Sequence, residues 1–304
     1  MGRLSTTVAP MSLTATAPRT CHLAGLSPHG FHRVVWHEWG EPGNPRVAIC
    51  VHGLTRTGRD FDVLAEALAP THRVLAVDMP GRGLSDWLPV KSDYAFPTYL
   101  TTLTALVAAS GADRVDWVGT SMGGLLGMVI AAQPQTPIER LVVNDVGPAI
   151  EPAALERIRQ YVGTDPTFDT WDAFAACVRA ISPFGPLTDA QWEHLTRTVG
   201  RERPDGRVGF VYDPGIAAPF RDAPAPPDLW PVWEAIRCPT LLLRGATSDL
   251  LSSATARRMT ETGPKPRLVE FEGVGHAPML LAADQVEAVV GFLREAPVRG
   301  TPLA

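Results

Sequence analysis

A serine set between two glycines, in Gly119-Thr120-Ser121-Met122-Gly123, has the residue types and spacing of a strained turn that exposes a nucleophile. Val115-Asp116-Trp117-Val118 before it reads as a buried strand, and Leu125 to Ala132 after it as a buried helix. A strand that turns sharply into a helix lifts the residue at the turn clear of the sheet. The glycines are expected because a side chain at 119 or 123 would collide with the turn or the neighbouring strand. A serine hydroxyl is a poor nucleophile until a base takes its proton, so a histidine and an orienting acid must follow, in the order Ser, Asp, His. His276, in Gly273-Val274-Gly275-His276-Ala277-Pro278, lies directly beyond the strand-like Leu268–Phe271. Asp249, in Arg244-Gly245-Ala246-Thr247-Ser248-Asp249-Leu250, lies beyond Leu241–Leu243 and is the favoured acid. Asn144-Asp145, after Leu141–Val143, offers a second acid. The tetrahedral oxyanion needs donors, and the backbone N–H groups of Met122 and Leu54 are assigned to it. Gly53 lets the chain in Val51-His52-Gly53-Leu54-Thr55 turn the Leu54 amide inward. Each such donor is worth roughly 3–4 kcal/mol at the transition state.

These groups need strand ends to hold them. Continuous apolar runs at Val47–Val51, Arg73–Val77, Val115–Val118, Leu141–Val143, Thr240–Leu243 and Leu268–Phe271 alternate with helical stretches, as in a parallel sheet covered on both faces. Phe31 to Trp39 is strand-like and ends at the turn Gly40-Glu41-Pro42-Gly43. In an open parallel sheet, reactive groups gather at the carboxyl ends of the strands, where Ser121, Asp249 and His276 all fall. The rhythm breaks after Pro148 and resumes near residue 235. Residues 1–20 are therefore read as a flexible tail, 21–147 and 235–304 as one α/β core, and 148–234 as an inserted helical unit. Helices are expected in the insertion near Ala153–Tyr161, Trp171–Ile181 and Ala190–Val199.

A length of 304 residues, with 45% hydrophobic and 19% charged, allows a sizeable core. The net charge of -5 supports neither nucleic acid nor an anionic membrane as partner. Cys21, Cys50, Cys177 and Cys238 are far apart, without CxxC spacing, and read as free thiols of a reducing compartment. The first twenty residues lack the apolar core of a signal peptide, and no run is long enough for a membrane span, so a cytoplasmic enzyme is expected. His22, His29, His32 and His37 have no metal-site spacing, and no metal is assigned. Nothing in the sequence specifies an oligomeric state.

The combination of His52-Gly53, Asp78-Met79-Pro80-Gly81-Arg82-Gly83-Leu84-Ser85, the Ser121 elbow, Asp249 and Gly275-His276-Ala277-Pro278 resembles the α/β-hydrolase superfamily. Within it the chain resembles cap-bearing enzymes related to small carboxylesterases and meta-cleavage hydrolases. The resemblance spans about residues 30 to 295. It implies an eight-stranded, mostly parallel sheet, a helical lid at 148–234, and a serine esterase that needs no cofactor and takes a small-molecule ester through an acyl-enzyme. Dehalogenase and epoxide-hydrolase branches carry aspartate at the elbow, where Ser121 stands. Carbon–carbon hydrolases carry tryptophan after the catalytic histidine, where Ala277 stands; that reaction and lactone hydrolysis are the alternatives, with a small-molecule receptor behind them. Trp171, Trp192 and Arg56 are candidate substrate-binding residues, and Phe174, Phe184, Phe210 and Phe220 suggest a hydrophobic acyl group. His52 is expected to brace the oxyanion loop, Asp78 to serve a structural turn, and His194 to face solvent.

Overall fold

Five-to-seven-residue apolar runs become strands here because both of their faces are covered. The computed structural model describes residues 17–221 and 228–295. In chain order its elements begin β1 (Arg19–Ser27), β2 (Gly30–Trp39), β3 (Val47–Val51), α1 (Asp62–Leu68), β4 (Arg73–Asp78), α2 (Phe96–Ser110), β5 (Val115–Thr120), α3 (Met122–Ala131) and β6 (Ile138–Asn144). After an intervening segment come β10 (Thr240–Gly245), α9 (Ser253–Glu261), β11 (Arg267–Phe271) and α10 (Ala283–Arg294). One eight-stranded sheet runs β1-β2-β4-β3-β5-β6-β10-β11. β1 and β2 join it antiparallel, and every pairing from β4 to β11 is parallel. Val47–Val51 is buried at every position, as a strand sandwiched between helix layers must be.

The first strand departs from expectation. The tail assigned to residues 1–20 ends earlier, because Arg19 and Thr20 already pair with Glu38 and His37. β1 is an edge strand whose burial alternates, so its sequence lacks the continuous apolar run that marks the central strands.

Between β6 and β10 lie α4 (Pro152–Tyr161), β7 (Thr167–Phe168), α5 (Trp171–Ile181), α6 (Asp189–Val199), β8 (Gly200–Glu202), β9 (Val208–Phe210), α7 (Ala218–Arg221) and α8 (Trp230–Ala235). The three expected helices are present. A three-stranded sheet of order β7-β9-β8 accompanies them, with strands of two or three residues that carry no readable alternation. Its aromatic heart is Phe174, edge-on to Phe168, Trp171 and Phe210. α6 starts with a capping box in which Thr188 and Gln191 satisfy each other's backbone N–H groups. The Asp222–Pro227 passage and the Phe220 side chain lie outside the described residues. Among the described residues no helix is long and apolar enough to cross a membrane.

Candidate active site

Ser121 caps α3 with φ +52°, a backbone conformation that side chains rarely adopt. Its N–H donates to the Asn144 carbonyl (2.9 Å), and its own carbonyl accepts from the N–H groups of Gly124 (2.9 Å) and Leu125 (3.0 Å). The strained residue is thus held from β6 on one side and α3 on the other. A Cβ at Gly119 would strike the Gly123 carbonyl, and one at Gly123 the Val51 carbonyl. The glycines let α3 start hard against β3.

His276 Nε2 lies 3.0 Å from Ser121 Oγ, and His276 Nδ1 lies 2.9 Å from Asp145 Oδ2. The Asp145 carboxyl is fully buried, and its other oxygen accepts the Gly245 N–H at 3.0 Å. An acceptor-only carboxylate beside Nδ1 favours the tautomer that keeps the proton there, leaving Nε2 free to accept from the serine.

Asp249, the favoured acid, is not in this chain of hydrogen bonds. β6 lies directly beside β5 in the sheet, and Asp145 is the first residue past its end, with φ +58° aiming the side chain at His276. β10 is one strand further from the serine, and Asp249 stands four residues past its end in an exposed loop. There Asp249 forks with Arg157 of α4, at 2.6 Å from Nε and 3.0 Å from the other nitrogen. Burial pushes its carboxyl up, but the Arg157 hydrogen bonds and charge, together with the His276 charge, outweigh that and hold it below the ordinary aspartate range.

The loop that carries Leu54 is braced by a buried histidine. His52 Nδ1 donates to the Gly53 carbonyl at 2.6 Å, and its Nε2 accepts the Met79 N–H at 3.0 Å. Burial pushes His52 down to about 4, so the ring is neutral near pH 7 and fits both bonds. In a trans peptide the N–H points opposite to the C=O. Holding the Gly53 carbonyl toward His52 therefore turns the Leu54 N–H the other way, and Leu54 and Ser121 line one cavity. Met122 is the first residue of α3, so its N–H has no partner within the helix. Asp78 accepts from the N–H groups of Gly58 (2.8 Å) and Leu84 (2.9 Å), which pins the turn that follows β4.

Two bracing residues escaped the sequence reading. Asn144 donates to Thr120 Oγ1 (3.0 Å) and to the Pro278 carbonyl (2.8 Å), tying the elbow to the histidine loop. Its signal was a polar residue closing a buried apolar strand. Arg82, fully buried, donates to the carbonyls of Leu54 (2.8 Å) and Pro80 (2.7 Å) and to Tyr99 Oη (2.7 Å).

The cavity above Ser121 measures about 80 Å³. Leu54, Arg56, Asp60, Ser121 and His276 form its floor, and Arg157, Ile158, Tyr161, Val178, Phe184 and Phe210 its roof. Arg56 is there as expected, but Asp60 holds it in a fork (2.8 and 2.6 Å) and its guanidinium lies over Phe184. Trp171 and Trp192 are not in the cavity wall. Trp171 packs edge-on against Phe174 under Arg197, and Trp192 stacks behind Phe184 at 5.9 Å, so both are packing residues. Phe174 is likewise buried inside the insertion. His194 does not face solvent: its Nε2 donates to the Arg59 carbonyl at 3.2 Å, joining α6 to the core. A larger open depression of about 500 Å³ lies at the opposite ends of β3, β4 and β5, far from Ser121. Among the described residues no cluster of three His, Cys, Asp or Glu side chains is placed to hold a metal ion.

An interrupted parallel sheet with a serine–histidine–aspartate relay at its strand ends defines a class, and residues 48–290 match the model of the alpha/beta hydrolase family. The chain belongs to that family. It is 42% identical over 288 residues to the 3-hydroxybutyrate-oligomer hydrolase of Cupriavidus necator, a match covering 91% of this chain and 98% of that one. Among solved structures it resembles an alpha/beta hydrolase from Novosphingobium aromaticivorans (TM-score 0.82, 37% identity, covering 91% and 98% of the two chains). It also resembles a putative hydrolase from Rickettsia typhi (TM-score 0.86, 27% identity, 92% and 100%).

Proposed function

We propose that this hydrolase cleaves carboxylic esters through an acyl-enzyme, with Ser121 as nucleophile, His276 as general base and acid, and Asp145 as the orienting acid. The relay of 2.9 and 3.0 Å hydrogen bonds ending on a strained serine carries the proposal. His276 takes the Ser121 proton as Oγ attacks the ester carbonyl, and Asp145 stabilises the imidazolium that forms. The N–H groups of Leu54 and Met122 receive the oxyanion. Protonated His276 then hands its proton to the leaving alcohol, and water repeats the sequence to release the acid.

The substrate class we assign is a short linear ester of hydroxyacids. The similarity to the 3-hydroxybutyrate-oligomer hydrolase over nearly the whole of both chains supports it, as does a mixed roof of Ile158, Val178, Phe184 and Phe210 beside Arg157. Ligand pockets usually measure roughly 300–1,000 Å³. At about 80 Å³ the cavity is too small for such a substrate, so residues 148–234 act as a lid that shifts to admit it.

The test is hydrolysis of p-nitrophenyl esters from acetyl to dodecanoyl, together with linear 3-hydroxybutyrate dimers and trimers, by the wild type and by Ser121→Ala. Turnover is expected on short esters and on the oligomers, with a loss of roughly 10⁶-fold in the variant. A folded protein inert on every ester would overturn the reading in favour of carbon–carbon bond hydrolysis.

A further inference from the structure

Two guanidinium groups reach the cavity above Ser121, and their pairings differ in kind. The Arg56 side chain is 12% exposed and its partner Asp60 8%, and the pair is further fixed by Phe184. Opening that fork would strand a buried carboxylate, which is costly. The Arg157 side chain is 33% exposed and that of Asp249 46%. Water already competes for both ends of this second pair, and such exposed pairs add little to stability. Arg157 therefore surrenders its partner cheaply, and the planar fork of an arginine donates to any carboxylate in the same two-pronged way.

The position of the pair matters as much as its exposure. Arg157 sits on α4 in the roof, while Asp249 belongs to the loop after β10 in the core, so their bond spans the two layers. Arg157 and His276 line the same cavity. We infer that Arg157 is the subsite for a free carboxylate on the substrate, and that Asp249 occupies this subsite until the substrate carboxylate displaces it. The inference rests on the ester-hydrolase reading and adds to it the part of the substrate that is read. Hydrolysis then favours esters with a free acid terminus over the same molecules capped as neutral esters. Exchange at Arg157 also frees the roof from the core as the substrate enters.

The experiment compares a linear hydroxyacid dimer as the free acid with its methyl ester, following cleavage of the internal ester by chromatography. The quantity read is the ratio of kcat/KM for acid over methyl ester, in the wild type, Arg157→Gln and Asp249→Asn. The ratio is expected to fall about tenfold in Arg157→Gln, mostly through KM, as for a charge pair removed from a half-exposed site. In Asp249→Asn it is expected to rise several-fold, because the internal competitor is gone. A merely structural bridge predicts that both variants move together. An unchanged ratio in Arg157→Gln, or a parallel fall in both, overturns the inference while leaving the ester-hydrolase reading intact. A wild type that cleaves neither dimer overturns the substrate class and the subsite with it, and p-nitrophenyl ester turnover then shows whether ester hydrolysis itself survives.

Discussion

Asp145 and Asp249 follow neighbouring strands of one sheet, yet their surroundings are opposites. Asp145 is sealed from solvent, with one carboxylate oxygen on the Gly245 N–H and the other on His276. Asp249 stands half in water and answers to an arginine of the insertion. A buried carboxylate fixed by a backbone donor does not wander, which suits the proposed role of holding an imidazole through every turnover. An exposed carboxylate on a long side chain's fork is easily replaced. The floor of the site is built for constancy, its roof for exchange.

The sharpest way to break that contrast is to neutralise each acid in turn and follow a neutral p-nitrophenyl ester. Asp145→Asn is expected to cut kcat by roughly 10⁴-fold, the loss that follows when the relay holds the wrong tautomer. Asp249→Asn should stay within about tenfold of the wild type. Equal losses, or a larger one at Asp249, would return the acid to the position first favoured from the sequence.

A smaller effect comes from His52, which belongs wholly to the floor. Its folded-state pKa of about 4 lies below the ordinary 6.5. Between these values the unfolded chain binds a proton that the native chain refuses, so stability rises with pH across that window. The contribution is complete above pH 6.5 and is lost as pH falls toward 4, amounting to about 3 kcal/mol. Urea unfolding of the wild type and His52→Asn across pH 4 to 7 measures it, and the variant should show the shallower slope. Identical slopes would mean that His52 is not the group taking up the proton.

The smallest expected effect lies in the roof. A double-mutant cycle of Arg157→Ala and Asp249→Ala should yield a coupling below about 1 kcal/mol in thermal or urea unfolding. A coupling of several kcal/mol would make the pair a structural anchor and erase the distinction between floor and roof.

The proposed nucleophile and base, Ser121 and His276, were legible because local sequence builds their turns. A glycine-flanked serine between a strand and a helix, and a histidine after a strand and a Gly-Val-Gly turn, carry their geometry with them. Seven of the eight strands and the three main helices of the insertion were legible as runs in the sequence, whereas β1, which alternates at the sheet edge, was not, and the count of eight came from the family resemblance. The proposed acid was not legible, since two strands each end near an aspartate and the choice depends on which strand lies beside β5. That is a fact of sheet order, which periodicity does not encode. Asp145 did carry a signal, namely its place directly past the end of β6, whereas Asp249 trails β10 by four residues. Trp171 and Trp192 were misplaced because an aromatic in an insertion can pack inward or line a cavity, and only the partner, Phe174 or Phe184, decides. The β7-β9-β8 sheet was invisible because two or three residues cannot show a period.

The assignment of the acid to β6 has a consequence for how the site is assembled as the chain emerges during synthesis. Ser121 and Asp145 sit on consecutive strands of one βαβ unit, finished before any residue of the insertion exists. Only His276 arrives late, 155 residues after the serine and 131 after the aspartate. Loop-closure entropy grows only slowly with length, so the segment between can be lengthened or rebuilt at little cost to that final closure. On the proposed roles, nucleophile and acid form a fixed cassette, and His276 arms it only when the last strands have docked.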